Sequence, residues 1–432
     1  MSTDAWRRTA RIMRRAALGV TGADVDRVGA GIEAWLDDAL APGADLGVDA
    51  TPAPAFAALP ALGPNPTQAD RQAQNKALNN QGDQLVTWWV TRMVSAKRPV
   101  RERLTFAWHN HWATSLSKVK RPALMLRQNE LLRSQGFGSF TALAQQMVVD
   151  PALLIWLDAE KNTKAAPNEN LARELMELFT LGVGGGYTED DVKQAARALT
   201  GWRVAADGTV TSDPKRTDPG PETVLGVTDH FTPATLVATI LATPAHPRYL
   251  ATRWWHQLAS GDAIPDDTLS RAVAAYGSGR EVTALLKALL VDPAFMAATG
   301  TIVASPVEWL VGSMRTLATP STSDTIKQGL GVLRRLGQVP FLPPNVSGWP
   351  SGASWSSTAA ASTRAAAATK LAGIADLSAV SDASAATRND AVAHLLALDH
   401  FTERTLTALG LAKGDPKQLV ATALISPDYL VV

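Results

Sequence analysis

The sequence predicts a mainly α-helical protein: one large multi-helix domain over residues 1–432, with long Pro/Gly-rich loops and no significant sheet. Helix-start signals recur along the chain, and apolar residues between them repeat with the helical period. No segment alternates with helices as the strands of a parallel sheet do, and no hairpin signal is convincing. A hydrophobic content of 46% is enough to bury a large core.

Capping signals place the helices of the first third. Thr3 can cap a first helix, and Thr21 with Asp24 forms a capping box for a second, predicted to continue to about residue 43. Prolines interrupt every period over residues 41–66, so this stretch is predicted to be an extended surface linker. Further helices are predicted over residues 68–95, 99–115, 121–134 and 140–149.

The stretch PNENLARELMELFTLGVGGGYTEDDVKQAARALTGW carries the densest polar side chains in a helical context. It predicts a helix over 168–181, a glycine hinge, and a helix over 188–200 that begins with a Thr188/Asp191 capping box. A helical wheel divides the first helix into an apolar and a polar arc. The apolar arc holds Leu171, Ala172, Leu175, Met176, Leu178 and Phe179, and the polar arc holds Asn170, Arg173, Glu174, Glu177 and Thr180.

The remainder is predicted to alternate helices with two long loops, over 204–226 and 337–355. Ser305-Pro306-Val307-Glu308 is a strong helix start, because it combines a cap, a proline at the first position and a glutamate at the third. Other helices are predicted over residues 234–242, 244–260, 267–276, 280–291 and 359–372, with a last one from Asp415-Pro416.

Composition excludes several classes of function. The 41 basic and 40 acidic residues balance, so nucleic acid is not an expected partner. The absence of cysteine excludes disulfides, thiolate metal sites and a cysteine nucleophile. No window approaches the length of an apolar membrane span, and the basic start lacks the apolar core of a signal peptide, so a cytoplasmic location is expected by default.

Carboxylates on the 168–181 helix are the first candidates for chemistry. Glu174 and Glu177 lie on the same side as Asn170, so they could share a proton or a divalent metal, with Arg173 orienting them. The second Glu-x-x-His of a di-metal bundle is missing, and no confident metal site is predicted. The alternative is an ion-pair network with Arg173 and Arg197.

His109-Asn110-His111 suggests an imidazole in the same site. Side chains two positions apart on a helix point in directions about 200° apart around its axis, so His109 and His111 cannot both face one ligand. At most one is predicted to act as a base or metal ligand. The alternative is a satisfied, partly buried histidine between tryptophans.

The chain has 13 tryptophans and 4 tyrosines. Flat indole faces suit stacking on sugars, although tryptophan in a helical protein is commonly part of the core. The candidates for substrate contact are Trp108, Trp112, Asn170, Asn345, Trp349 and Trp355. For the loop that carries the last three, ligand contact and a structural plug remain alternatives.

Several long motifs, in one order, resemble a bacterial family known as domain of unknown function 1800. They are WHNHWATS, MLRQNELLR, DPALLIWLD, the 168–202 stretch, SPVEW and LGQVPFLPPNVSGWPSGASW. The resemblance implies a possible partner, because many members are encoded beside a sulfatase-like protein. Where the family has a His-Asp pair and then a Lys, this chain has Thr217, Asp218 and Glu222.

Two functions are therefore expected as alternatives. The first is a hydrolase-type enzyme with a carboxylate and histidine site, with or without a divalent metal, that acts on a glycan or another polar substrate. Its cleft would be lined by the 168–181 and 188–200 helices, the His109/His111 helix and the Trp349 loop. The second is a non-catalytic helical scaffold or binding protein that partners a sulfatase-like protein.

Overall fold

The computed structural model describes residues 3–41, 51–60, 62–298, 302–412 and 414–431. Over these residues the chain is built from helices, and its strands form two short hairpins, which confirms the mainly α-helical prediction. The first helices are α1 (Asp4–Ala16), α2 (Gly22–Val28), α3 (Ile32–Leu40), α4 (Gln68–Ser95), α5 (Pro99–His111), α6 (Leu116–Val119), α7 (Pro122–Gln135), α8 (Phe140–Met147) and α9 (Pro151–Trp156).

The middle of the chain contains the irregular elements. A 3₁₀ turn (Ala159–Lys161) precedes α10 (Asn170–Glu174), which continues as a π-helix (Leu175–Thr180). Next come α11 (Glu189–Ala198) and the four strands β1 (Trp202–Val204), β2 (Val210–Ser212), β3 (Glu222–Val224) and β4 (Val227–Asp229). They are followed by α12 (Pro233–Leu241), α13 (Ala245–Leu258), α14 (Asp266–Tyr276), α15 (Val282–Val291) and α16 (Pro293–Ala297).

The C-terminal part is again helical, and its one long loop ends in a 3₁₀ turn (Gly352–Trp355). The last predicted helix corresponds to α23, and one further short helix follows it. The helices are α17 (Pro306–Thr316), α18 (Ser323–Leu336), α19 (Thr358–Ile374), α20 (Ser378–Ser381), α21 (Arg388–Leu395), α22 (Glu403–Gly410), α23 (Pro416–Leu424) and α24 (Pro427–Leu430).

The predicted caps are confirmed. Thr3 accepts a hydrogen bond from the Trp6 backbone N–H, and complete capping boxes begin α2, α11 and α17. The single helix predicted from Thr21 to about residue 43 is wrong. It is interrupted at Gly29, whose φ of +54° ends α2, and α3 starts afresh at Ile32.

Part of the predicted Pro-rich linker, residues 42–50 and 61, lies outside the described residues. Residues 51–60 run along α4 in the opposite direction. Three side chains of α4 donate hydrogen bonds to this segment: Gln74 to the Pro60 carbonyl at 3.2 Å, Gln81 to Ala57 at 2.8 Å and Trp88 to Thr51 at 3.0 Å. Because these donors are seven residues apart, they share one face of the helix.

The hydrogen bonds between α4 and residues 51–60 lead to a testable prediction. We expect Gln81→Ala to speed proteolytic cleavage between residues 51 and 60 by about fivefold, because a lost hydrogen bond is worth about 1 kcal/mol. Limited proteolysis followed by mass spectrometry measures the rate. Gln72→Ala is the matched control, since Gln72 is exposed on the same helix and makes no hydrogen bond with the described residues. Equal cleavage rates in the two variants would contradict the assignment.

The predicted 168–181 helix changes type halfway. In its second half the Leu181 N–H bonds to the Met176 carbonyl at 2.8 Å, five residues back, as in a π-helix. The wider turn shifts the side chains, so Thr180, predicted on the polar arc, is buried. Leu178, predicted on the apolar arc, is half-buried. The α-helical wheel is therefore wrong for this turn.

The loop predicted over 204–226 carries most of the two hairpins. β1 pairs antiparallel with β2, and β3 with β4. The second turn consists of Leu225 and Gly226, with φ of +52° and +80°, the two positive values that a tight type I′ hairpin needs. Leucine is an unusual residue at such a position, which is why the turn was not predicted. The 337–355 loop is confirmed as a loop with its closing 3₁₀ turn.

Buried apolar residues from Ala10 to Leu424 form one contiguous cluster. That cluster agrees with a single domain over 1–432, which stays a prediction. Among the described helices, none combines the length and the apolar character that crossing a membrane requires.

Candidate functional site

A polar groove forms where the last turns of α5 and α13 meet the 337–355 loop. Its main part has a volume of about 560 Å³, including space open to solvent. Polar side chains dominate its lining, and Trp349 forms an aromatic wall. The side chains at this part are Asn110, His111, Arg253, Trp254, His256, Gln257, Ser347, Trp349 and Ser351.

The groove continues towards the start of α17. Asn110, His256, Gln257 and Ser351 line both parts. The continuation adds one aromatic residue predicted from the sequence, Trp355, and one carboxylate, Glu308. Its other polar side chains are those of Ser305 and Gln338.

Asn110 fixes the loop against α5. Its Oδ1 accepts the Trp349 backbone N–H at 2.7 Å. At Gly348 the φ is +84°, and a Cβ would lie 2.2 Å from the same oxygen, so this close approach requires glycine. Since Oδ1 is used by the loop, the amide N–H₂ of Asn110, which makes no hydrogen bond with the described residues, is available to a ligand.

His256 is the imidazole best placed for chemistry. It is exposed in the last turn of α13 and lines both parts of the groove. Its Nδ1 donates to the Ser260 carbonyl at 3.0 Å. This bond fixes the neutral tautomer and leaves Nε2 as the proton acceptor, which is the arrangement of a general base.

His111 also lines the groove, but it is only 7% exposed, whereas His256 is exposed. Nε2 donates to the Phe179 carbonyl at 3.0 Å. Burial, and then the charge of Arg253, lower the pKa of His111 to about 3. Its bond belongs to a set that satisfies the last carbonyls of the π-helix, as helix ends require. The other two are Tyr249 to Leu178 at 2.5 Å and His246 to Thr180 at 2.9 Å.

His109 lies on the opposite side of α5, as the helical angle predicted. It is 1% exposed, and its Nε2 accepts the Phe341 backbone N–H at 3.1 Å. Burial lowers its pKa to about 3. The rings of Trp89, Phe341 and Trp349 surround it at centroid distances of 5.3, 5.3 and 5.6 Å. It is a neutral core residue here.

The predicted substrate-binding residues occupy different places. Trp108 and Trp112 are fully buried, and Trp112 packs on Phe179 at a centroid distance of 4.5 Å. Trp349 and Trp355 are also mostly buried, but both line the groove. Asn345 is exposed and its Oδ1 accepts the Ser347 N–H at 2.9 Å, a local turn of the loop.

The acidic face of the 168–181 segment forms a separate cluster. Arg173 pairs with Glu169 at 2.9 Å and with Glu189 at 2.7 Å. Glu174 and Glu177 are half-buried, and burial followed by the charge of Glu177 raises the pKa of Glu174. Neither carboxylate makes a hydrogen bond to a histidine or lines the groove, among the residues described.

The predicted ion pair of these carboxylates with Arg197 is wrong, because Arg197 bonds to Asp218 at 2.9 Å. Thr217 and Glu222 stand where the family that the sequence resembles has other residues, and both have a role in the packing of the fold rather than in the groove. Thr217 donates to the Asp213 carbonyl at 3.0 Å, and Glu222 is 3% exposed.

The structure thus brings together His111, Trp349 and Trp355, and leaves Arg173, Glu174, Glu177 and Asn170 outside the lining of the groove. Over the described ranges, no three His, Asp or Glu side chains are grouped as metal ligands. Reasoning from sequence missed Asn110, Arg253, His256 and Gln257. The one available signal was the polar group of Arg253, His256 and Gln257 in the last turns of the predicted 244–260 helix.

Comparison with known proteins gives one match. The family model described as "Protein of unknown function (DUF1800)" matches residues 11–431. No curated protein and no solved structure matches the chain.

Proposed function

This chain belongs to the DUF1800 family, whose description names no activity, and we propose from the groove itself that the protein is a hydrolase-type enzyme. His256 is the general base that removes a proton from the attacking water. The observation that carries the proposal is the Nδ1 hydrogen bond to the Ser260 carbonyl, at 3.0 Å, in a histidine that lines the groove. General bases of this kind contribute about 10²–10⁴-fold to rate.

The rest of the lining supports binding of a polar substrate. Arg253 supplies a positive charge, Asn110 an amide donor, and Ser347 and Ser351 hydroxyl groups. Such donors can stabilise the negative charge that develops on an oxygen during hydrolysis. Trp349 supplies an apolar surface beside them. The substrate class proposed is a polar molecule with an ester-type bond.

Glycoside cleavage is less well supported. That reaction commonly uses two carboxylates on either side of the bond. Among the described residues that line the groove there is one, Glu308, and it pairs with Arg103 at 2.6 Å. Burial, and then the charge of Glu177, raise the pKa of Glu174, and this supports the two residues as a second candidate acid and base, outside the groove.

The test compares turnover in matched histidine variants. We expect His256→Ala to lower kcat/KM about 10²–10⁴-fold on a panel of nitrophenyl esters of carboxylic, phosphoric and sulfuric acids. His230→Ala is the control, since His230 is exposed and does not line the groove. Because both side chains are exposed, circular dichroism should show unchanged folding. Wild-type turnover that persists in His256→Ala would overturn the assignment, and Glu174→Gln would then test the second candidate.

The alternative function is a non-catalytic scaffold for a sulfatase-like protein. Val183 in the glycine hinge is an apolar side chain that is 81% exposed, and it is the contact we would assign to such a partner. Two results together would favour the scaffold hypothesis over the enzyme: the wild type turns over no member of the panel, and Val183→Asp abolishes binding of the wild-type partner, a sulfatase-like protein.

A further inference from the structure

We propose that a cavity beside the groove, lined by Arg14, Arg15 and Arg103, binds a tetrahedral oxyanion: phosphate, sulfate or an ester of either. The cavity lies where α1 and α5 meet α17, and its volume is about 530 Å³, including open space. Trp309 and Tyr429 complete its wall. Glu308 lines both this cavity and the groove.

The charges around the cavity do not balance. Three guanidinium groups face it with one carboxylate, Glu308, among the described residues of its lining. That carboxylate is committed to Arg103, whose Nη2 lies 2.6 Å from Glu308 Oε1. Neither Arg14 nor Arg15 makes an ion pair with a side chain of the lining, and the charge of Glu308, which also acts on Arg15, is shared with Arg103.

Burial makes this imbalance costly. Arg15 is 4% exposed and Arg103 is 3% exposed. Arg15 donates to the backbone carbonyls of Leu258 at 2.5 Å and Gln257 at 3.4 Å, and these bonds satisfy donors without neutralising the charge. A buried cation normally has a partner of opposite charge, because removing it from water is otherwise unfavourable.

Arg14 has donors to spare. Its one hydrogen bond with the described residues runs from Nη2 to the Tyr429 carbonyl at 3.3 Å. Nε and Nη1 are therefore available, and Nη1 of Arg15 likewise makes no hydrogen bond with these residues. A planar guanidinium can place two N–H groups on two oxygens of one tetrahedral anion, which a carbonyl cannot match.

The acid–base behaviour of the cluster agrees with the geometry. Burial, and then the charge of Arg103, lower the pKa of Arg15 to about 9, against the opposing charge of Glu308. Burial also lowers the pKa of Arg14 to about 10, against the opposing influence of Tyr429, with Arg11 adding to the decrease. Asp428 acts on Arg14 in the other direction, but its Oδ2 accepts hydrogen bonds from Thr402. A bound oxyanion would supply the missing negative charge.

The experiment measures binding of inorganic phosphate and inorganic sulfate to the full-length protein by titration calorimetry, at an ionic strength held constant with sodium chloride. We expect saturable binding at one site. Arg14→Gln should weaken it about tenfold or more, because a charge-assisted bidentate contact is lost. Arg14→Lys keeps the positive charge but lacks the planar pair of N–H donors, so it should give an intermediate affinity.

Arg8→Gln is the matched control. Arg8 lies on the same helix, pairs with the exposed Glu33 at 3.6 Å and does not line the cavity, so its loss should leave the affinity unchanged. Should Arg14→Gln fail to fold, Arg14→Lys is compared with Arg8→Lys instead. Heat that never saturates, or equal affinity in the Arg14 and Arg8 variants, would overturn the proposal. No turnover is measured, so this outcome is independent of the hydrolase assignment.

Discussion

Replacing Glu102 with glutamine is expected to lower the free energy of unfolding by about 3–5 kcal/mol, the usual result of removing one partner from a buried ion pair. Glu102 is 1% exposed. Its carboxylate accepts hydrogen bonds from Arg133 at 2.7 and 3.0 Å, from Arg92 at 2.8 Å and from the Trp89 indole at 2.9 Å. Glutamine keeps the volume but leaves both guanidinium groups buried without their shared anion.

Glu130→Gln is the control for this prediction. Glu130 pairs with the same Arg133, at 2.9 Å, but its side chain is 44% exposed. An ion pair with one solvated partner contributes at most about 1 kcal/mol. Urea denaturation at neutral pH measures both variants. If the two variants lose a similar free energy of unfolding, the burial of Glu102 does not determine what its ion pairs contribute to stability.

The same carboxylate gives a pH signature. Burial alone would raise the pKa of Glu102, but the charges and hydrogen bonds of Arg133 and Arg92 outweigh it and lower the pKa from 4.5 to about 2. The folded state therefore binds this proton less readily than the unfolded state. Its contribution to stability is complete above about pH 4.5 and is lost as the pH falls towards 2. Glu102→Gln should lose less stability than the wild type across this window.

Local chemistry explains why much of the fold was predictable. Thr3, Thr21, Thr188 and Ser305 begin their helices because a side-chain oxygen satisfies free backbone N–H groups, and this device is visible in the sequence. The period of apolar residues then gives the length of each helix. The missed break at Gly29 also has a local cause, since glycine there adopts a positive φ.

The π-helix was not predictable in the same way. Its widened turn is stabilised by contacts from distant elements, because its last carbonyls bond to His111, His246 and Tyr249. No residue inside the segment signals those partners. The α-helical wheel consequently misplaced Thr180 and Leu178, although it placed Glu174 and Glu177 correctly on the less buried side.

The candidate site was partly predictable for a similar reason. The angle between His109 and His111 follows from helical geometry alone, and the structure puts the first in the core and the second on the groove. Which helix lies opposite α5 does not follow from either sequence segment. The 168–181 segment presents a backbone carbonyl to His111, and α13 supplies His256 to the groove. Both placements depend on tertiary packing.

The second large effect is expected on mild acidification. Three buried histidines are held neutral: burial lowers the pKa of His109 and of His111 from 6.5 to about 3, and that of His246 to about 4. Unfolding exposes them to water and allows them to bind protons. Their contribution to stability is complete above about pH 6.5 and is lost as the pH falls below it. Near pH 5 each contributes a slope of about 1.4 kcal/mol per pH unit.

Carboxyl groups with raised pKa values oppose this trend: Asp150 most strongly, and Glu174 and Glu222 in the same direction. Burial raises the pKa of Asp150 from 3.8 to about 6, against the hydrogen bonds from Leu153 and Gln128. Asp150 therefore binds a proton more readily in the folded state, and its contribution is complete below about pH 3.8 and lost as the pH rises through 6. Taken alone, the three histidines and this aspartate lower the free energy of unfolding by about 3 kcal/mol per pH unit on acidification near pH 5. The raised pKa values of Glu174 and Glu222 make the total slope shallower than this.

Variants can separate the two contributions, because they act with opposite sign. His109→Gln, whose carbonyl oxygen can still accept the Phe341 N–H, should make the slope shallower by about 1.4 kcal/mol per pH unit, and Asp150→Asn should make it steeper by a similar amount. Urea titrations at closely spaced pH values around pH 5 give the slopes. Glu174 and Glu222 titrate with raised pKa values in every variant, so they cancel from the differences. His230→Gln, at an exposed site, should leave the slope unchanged; a shift in this control as large as that of His109→Gln would show that burial does not determine the acid response.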